Sequence, residues 1–381
     1  MKSLLVCLLF VAVATSAFGQ GPPISQLFAF YCTPDYGTCP NGFQPGPGPI
    51  QLANGYLYGA TAYNDTGNSG GTVWQADFSG DVSALYTFLP NGSGQFPEGD
   101  IPSNALVAGI DGNLYGVTAL GGTNDDGVLY SLTTSGTQQV LYNFCSLPGC
   151  PDQAFPIVAG ADGNFYGITP KYVFQITPAG IWSQFYNFDF PTLLGNLLIA
   201  GTDGNLYGAA SYDAFGPKPR GTVFRLTTGG VFTIVHTFPK QQGATFLTQA
   251  ANGTIYGAFT GLKDDGVFQI DTAGTYKTLQ KTVFAYTPTF LVAGSDGNLY
   301  GLINNESIYP PYPGSVFAIS AKKKTIFSEE FDCNTVGCDP VSLIEASDGD
   351  FYGLTTSGGT VAPGDIQNGT IFKVATGLKA H

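Results

Sequence analysis

A hexapeptide that recurs seven times, a composition of turn formers and aromatics, and a fourth-strand sequence at the N-terminus together predict an all-β fold. The expected architecture is a seven-bladed β-propeller of four-stranded antiparallel blades whose last blade is closed by the N-terminal strand. The hexapeptide is clearest as Asp203-Gly204-Asn205-Leu206-Tyr207-Gly208 and recurs at 111–116, 162–167 and 296–301, with looser copies at 54–59, 252–257 and 348–353. Every copy ends in Tyr-Gly after Leu, Ile or Phe. The tyrosines (Tyr58, Tyr115, Tyr166, Tyr207, Tyr256, Tyr300 and Tyr352) lie 57, 51, 41, 49, 44 and 52 residues apart, a blade-like period. With 53 Gly, 25 Pro and 14% aromatics against 11% charged residues, the chain suits many short strands joined by tight turns.

Taken in order, the chain opens on an apolar run, residues 4–14, preceded by Lys2 and followed by Ala17-Phe18-Gly19. This reads as a signal peptide over residues 1–19, too short to span a bilayer as a helix. Cys7 lies inside the run with no small residue before it, which argues against a lipid anchor. The mature chain is therefore expected to be secreted, extracellular or periplasmic, with residues 20–381 forming one propeller domain and 375–381 a tail. Residues 24–30, Ile-Ser-Gln-Leu-Phe-Ala-Phe, resemble the fourth strand of the second unit, Gln-Val-Leu-Tyr-Asn-Phe at 139–144. The seventh unit supplies strands at 341–346, 351–355 and 370–374 and no fourth. Residues 24–30 are accordingly expected to complete it and remove an open edge.

The second unit shows the pattern: an apolar run at 104–108, an Asp-Gly-Asn turn, and strands at 114–118, 127–132 and 139–144. Leu114, Tyr115 and Val117 put apolar groups on both faces of their strand, as in a sheet covered on both sides. The repeated Asp-Gly-Asn is read as turn chemistry, Gly or Asn accepting positive φ, and not as a calcium loop, because Asn54 and Asn252 replace the Asp. The Gly after each Tyr is expected to admit close approach of the next blade. The fifth unit is the least regular, with 276–282 as a weak fourth strand.

Six cysteines follow the leader as close couples: Cys32 with Cys39, Cys145 with Cys150, and Cys333 with Cys338. In an exported chain this reads as three local disulfides. A zinc site would need histidine partners, and only His236 and His381 exist. No metal or cofactor is expected.

The formal charge is −13, and −14 without Lys2. This argues against nucleic acid, whose affinity rests on basic side chains meeting phosphates, and against an anionic membrane surface. No second run long enough to span a membrane follows the leader, and the chain is expected to be monomeric.

Asp-Gly-Asn-Leu-Tyr-Gly, a Gly-rich loop, and then Gly-Thr-Val-Phe (221–224) or Gly-Val-Leu-Tyr (127–130) resembles the GloVer repeat of the Gloeobacter/Verrucomicrobia type, along essentially the whole mature chain. That repeat occurs in tandem in secreted bacterial proteins, often with C-terminal anchors, and no anchor is recognised here. The resemblance implies an exported propeller and no particular reaction or ligand.

In such a blade the first-to-second and third-to-fourth turns share one face, short and uniform here. The second-to-third loops and the inter-blade links share the other, longer and variable, where function usually sits. Its candidate ligand-binding residues are Tyr63, Asn64, Asp65, Asp125, Asp126, Tyr212, Asp213, Asp264, Asp265, Asn305, Tyr309 and Tyr312, flat aromatics and short hydrogen-bonding groups suited to glycan or peptide. The expected function is a binding module for an extracellular polymer, carbohydrate included, or an envelope protein. The alternative is a carboxylate-dependent polysaccharide hydrolase or lyase, for which Glu98, Asp100, Asp125, Asp126, Asp264 and Asp265 lie on the same face with no spacing that selects a pair. A Ser-His-Asp or Cys-His site is not expected, since His236 falls on an outermost strand and His381 ends the chain. Glu345, Gln51 and Gln249 stand where four units have Ala and are expected to form a polar patch near the central channel.

Overall fold

The computed structural model describes residues 23–33, 39–46, 48–63, 69–102, 104–145, 156–188, 197–210, 220–239, 242–261, 264–281, 288–304, 313–320 and 325–376. The repeated turn sets the local structure: Gly112, Gly163, Gly204 and Gly297 hold φ of 80°, 81°, 79° and 77°. That left-handed conformation suits Gly far better than other residues and reverses the chain into the second strand of each blade.

Blade 1 comprises Phe43–Pro45 with Ile50–Gln51, then Leu57–Tyr63, Ser69–Ala76 and Val82–Thr87. Blade 2 comprises Asp100–Pro102 with Val107–Ala108, then Leu114–Leu120, Val128–Leu132 and Gln138–Asn143. Blade 3 comprises Ile157–Ala159, Phe165–Ile168, Tyr172–Ile176 and Trp182–Asn187, and blade 4 Leu198–Ala200, Leu206–Ala210, Thr222–Leu226 and Phe232–Thr237. Blade 5 comprises Gln242–Gln249, Ile255–Gly261, Gly266–Ile270 and Tyr276–Lys281, so its fourth strand is regular despite its weak sequence. Blade 6 comprises Phe290–Ala293, Leu299–Ile303, Ser315–Ile319 and Thr325–Glu330.

Blade 7 joins the two ends of the chain. Cys338–Glu345, Phe351–Ser357 and Ile366–Val374 are completed by Ile24–Cys32, antiparallel to Ile366–Val374. Ile24 faces Val374, Phe28 faces Ile371 and Cys32 faces Ile366. The closing strand runs two residues past the expected 24–30, because Tyr31 and Cys32 pair with Gln367 and Ile366, which also starts the third strand earlier than 370.

Among the described residues, one apolar cluster sits at each of the seven blade interfaces. Phe30, Tyr352, Leu354 and Ile371 of blade 7 meet Leu57, Trp74 and Ala76 of blade 1, so the ring is sealed by the same kind of core that joins its other neighbours. Tilted ring pairs bridge these interfaces, Tyr115 with Phe165 at 4.3 Å and Tyr300 with Phe351 at 4.1 Å between centroids.

The Gly after each Tyr has a different role from the one expected. A Cβ on Gly59, Gly167, Gly208 or Gly353 would fall 2.2, 2.1, 2.2 and 2.3 Å from a ring atom of Trp74, Phe174, Phe224 and Phe372. Each ring belongs to the residue directly opposite on the third strand of the same blade. The Gly therefore makes room for its own blade's aromatic, which lies across the bare backbone and carries the apolar surface into the interface. Blade-to-blade approach is governed by that ring and not by the Gly.

Cys32–Cys39 and Cys333–Cys338 are disulfides, bracketing the links from blade 7 to blade 1 and from blade 6 to blade 7. Cys145 is also disulfide-bonded, while Cys150 lies outside the described residues. Among the described residues no helix is long and apolar enough to cross a membrane.

Candidate functional site

On the uniform face the Asp of each turn closes a latch. Asp203 Oδ1 accepts the Asn205 N–H at 3.1 Å, and Oδ2 accepts from Asn205 Nδ2 at 2.7 Å and from the Tyr207 hydroxyl at 2.8 Å. Asp111 with Tyr115, Asp162 with Tyr166, Asp296 with Tyr300 and Asp348 with Tyr352 repeat the hydroxyl bond at 2.8, 2.7, 2.9 and 2.7 Å. Burial alone would raise Asp111, Asp162 and Asp203, and the Tyr and Asn hydrogen bonds outweigh it to hold all three below the usual range. Burial, then the Asp bond, pushes Tyr115, Tyr166 and Tyr207 up to about 12. The repeat's polar atoms are consumed by its own fold.

Glu345, Gln51 and Gln249 act as inter-blade staples. Glu345 accepts from the Ser295 N–H at 2.7 Å and from its hydroxyl, tying blade 7 to the turn of blade 6. Gln51 Oε1 accepts the Ser347 N–H at 2.8 Å, and Gln249 Oε1 the Thr202 N–H at 2.6 Å, tying blade 1 to blade 7 and blade 5 to blade 4. In each case a first-strand side chain captures a backbone donor in the preceding blade's turn.

The loop-rich face is different in kind. Among the described residues, the non-glycine residues in the left-handed region are Gln44, Ile101, Asp125 and Asp339, with φ of 55°, 55°, 61° and 56°, and all four lie on this face. Gln44, Ile101 and Asp339 occupy one position in blades 1, 2 and 7, which are neighbours in the ring, each just before a proline in the first strand. Left-handed backbone costs such residues roughly 1 kcal/mol or more each. The sequence reading missed these three positions, and the recurring prolines Pro45, Pro102 and Pro340 were the available signal.

Of the sequence-predicted residues, Tyr63 stacks on Phe43 with centroids 4.7 Å apart and planes 11° from parallel. Asp125 Oδ1 accepts the Gly121 N–H at 3.0 Å, and Asp265 Oδ1 accepts the Gly261 N–H at 3.1 Å and the Thr260 hydroxyl at 2.8 Å. Asp126 adjoins Asp125 and is half-buried. Asp264 pairs with Lys281 at 2.9 Å, and exposed Glu98 accepts from the Tyr86 hydroxyl. Asn64, Asp65, Tyr212, Asp213, Asn305, Tyr309 and Tyr312 lie outside the described residues. Asp264 and Asp265 stand on blade 5 and Asp125 and Asp126 on blade 2, so the fold does not bring these pairs together.

It does bring Asp100 beside Asp125. Asp100 is only 7% exposed, its Oδ1 has no hydrogen-bond partner, and burial raises its pKa, opposed by the Gly70 and Ile101 N–H groups and aided by the charge of Asp125. Among the described residues no three His, Cys, Asp or Glu side chains converge on a point that could hold a metal. His236 lies on the fourth strand of blade 4, as expected, stacked on Tyr276 of blade 5 at 3.9 Å with its pKa lowered by burial.

No curated protein matches the chain in sequence. Among solved structures, virginiamycin B lyase from Staphylococcus aureus is similar, with a TM-score of 0.56 at 14% identity over 87% of this chain and 94% of that one. Puromycin hydrolase is similar with a TM-score of 0.55 at 11% identity over 83% of this chain and 50% of its own length. Identities this low show the propeller fold and nothing of the chemistry. In sequence, residues 27–196, which span the first three blades and most of the closing strand, match the model of the Gloeobacter/Verrucomicrobia repeat.

Proposed function

We propose that this chain is an exported binding module that engages an extracellular glycan or an envelope protein through its loop-rich face. The observation that carries the reading is the confinement of the strained backbone at Gln44, Ile101, Asp125 and Asp339 to that face, since strain of this kind gathers at ligand-contacting sites. The opposite face spends its Asp, Asn and Tyr groups on its own turns. Disulfides at the inter-blade links suit an oxidising compartment. The test is a binding screen of residues 20–381 against polysaccharides and envelope fractions. Saturable binding is expected, abolished by Tyr63→Ala with Asp125→Asn while the circular dichroism spectrum is unchanged. A screen without saturable binding, or binding indifferent to those substitutions, overturns the reading.

Asp100 favours one second reading, a carboxylate-dependent polysaccharide hydrolase or lyase. A buried carboxyl whose pKa is raised by burial, near an exposed carboxyl, is the kind of asymmetry such chemistry uses. It requires release of oligosaccharides that Asp100→Asn eliminates. Unchanged substrate across a broad panel removes it.

A further inference from the structure

Between blades 4 and 5, on the uniform face and away from the loops, lies a groove of about 290 Å³ bounded by Tyr207, Arg225 and Thr233 on one side and Ile255, Asp271 and Thr272 on the other. Arg225 is one of only two arginines in the chain. It occupies the third-strand position opposite the repeat tyrosine, where other blades carry Gln75, Ser131, Gln175, Gln269, Ala318 and Lys373. Two of the seven blades thus place a cation here, and they treat it differently.

In blade 7 the cation is neutralised: Lys373 Nζ lies 2.7 Å from Asp350 and 3.4 Å from Asp348. Blade 4 has Asn205 where blade 7 has Asp350. Asn205 donates to Asp203, and the Tyr207 hydroxyl occupies the same carboxylate oxygen. Among the described residues no carboxylate lies within ion-pair distance of Arg225. Its Nε is buried with no acceptor, and its contact is with the Tyr207 hydroxyl. Arg225 nonetheless lines the groove, and a guanidinium without a carboxylate partner offers a planar fork shaped for one.

The facing wall narrows the class of ligand. Asp271 is held ionised by the Thr275 N–H at 2.8 Å and the Ala273 N–H at 3.0 Å, both on Oδ1, which leaves Oδ2 able to accept from a hydroxyl. Thr233 and Thr272 present further hydroxyls, and Ile255 an apolar floor. An alkanoic acid would leave these groups unmatched, and a neutral sugar would leave Arg225 unmatched. A group with one carboxylate, several hydroxyls and an apolar ring face satisfies both walls, and the volume lies at the lower end of small-molecule sites, roughly 300 Å³.

We propose that this groove binds a uronic acid residue, its carboxylate on Arg225 and its hydroxyls on Asp271 and Thr272. The site is independent of the loop-rich face and of any ligand bound there.

The test is calorimetric titration of residues 20–381 with galacturonate and glucuronate, each beside its neutral hexose, acetate and glutamate. A uronate is expected to bind at least about tenfold more tightly than the matching hexose, as for a hydrogen bond to a charged group. Arg225→Gln is expected to remove that preference. Gln is the native residue at this strand position in blades 1, 3 and 5, so the variant keeps the fold, checked by its melting temperature. Equal binding of hexose and uronate, binding unaffected by Arg225→Gln, or acetate or glutamate binding as tightly as the uronate each overturns the proposal, as does no binding of either uronate.

Discussion

Gly208→Ala tests the claim that the repeat glycine exists for its own blade's aromatic. The new Cβ would lie 2.2 Å from Phe224 Cζ and 2.7 and 2.9 Å from its Cε atoms. Ordinary carbon contact needs roughly 3.5 Å, so the ring must retreat by about 1 Å. It is 1% exposed, with Phe188 and Phe232 centred 5.8 and 5.1 Å away, and has nowhere to go. Overpacking of this kind costs about 1–3 kcal/mol, and a fully buried ring hemmed in by two others belongs at the top of that range. Gly208 does not hold positive φ, so Ala there carries no backbone strain and gains about 0.4–1 kcal/mol from the stiffer unfolded chain. The net expectation is about 2 kcal/mol of destabilisation, read from urea unfolding. Gly297→Ala is the control: nothing lies near its Cβ, but φ is +77°, so only left-handed strain of roughly 1 kcal/mol applies. In a cycle with Phe224→Leu, relief of the clash should appear as a coupling of about 1 kcal/mol or more. A Gly208→Ala protein within about 0.5 kcal/mol of the parent, or strictly additive with Phe224→Leu, refutes the account.

Two further outcomes follow from the geometry. Removing residues 20–32 takes away Phe30, which is fully buried, and bares the edge of Ile366–Val374; loss of a buried Phe alone costs about 3–5 kcal/mol. The truncated chain should melt well below the parent and associate on size-exclusion chromatography, and an unchanged melting temperature and elution volume would contradict closure by this strand. The latch carboxyls of Asp111, Asp162 and Asp203 are depressed in the fold, so they bind fewer protons folded than unfolded. Their stabilisation is fully present above the unfolded Asp value of about 3.9 and is lost as pH falls through the folded values. The stability gap between the parent and Asp203→Asn should therefore shrink below about pH 4, and a gap constant from pH 7 to pH 3 would exclude an ionised latch.

Architecture was legible in this sequence because every unit prints its own register. The Tyr-Gly pair marks the second strand, and the closure follows from counting strands: three at 341–374 demand a fourth, and residues 24–30 look like one. What stayed hidden were partners across space. Gly208 and Phe224 are sixteen residues apart in sequence, and only the antiparallel register makes them opposite. Gln51, Gln249 and Glu345 stood out as polar residues in an apolar slot, yet their acceptors and donors lie on the preceding blade, 296 residues away for Gln51. At the candidate site, Asp125 and Asp265 have the chemistry of ligand contacts, yet both spend an oxygen on a backbone N–H four residues earlier. The strain at Gln44, Ile101 and Asp339 is a property of φ, which residue type alone does not report.

The division of roles within the repeat explains why Arg225 can be spared for a ligand. The turn Asp, the Tyr, the Gly and the ring opposite it are fixed by the latch and the interface, so the residue opposite the Tyr is the uniform-face position left free to vary. Its fate is decided by the third turn residue: Asp350 captures Lys373, whereas Asn205 leaves Arg225 open. Asn205→Asp should convert the fourth blade to the arrangement of the seventh. A partly buried pair of this kind stabilises by about 1 kcal/mol at most, so a melting temperature at or slightly above the parent's is expected. The same substitution should abolish uronate binding, because the new carboxylate occupies the guanidinium and repels the ligand's. Opposite signs on stability and binding are the signature of a cation held in reserve. Full uronate affinity in Asn205→Asp would mean that Arg225 is not the group that reads the ligand.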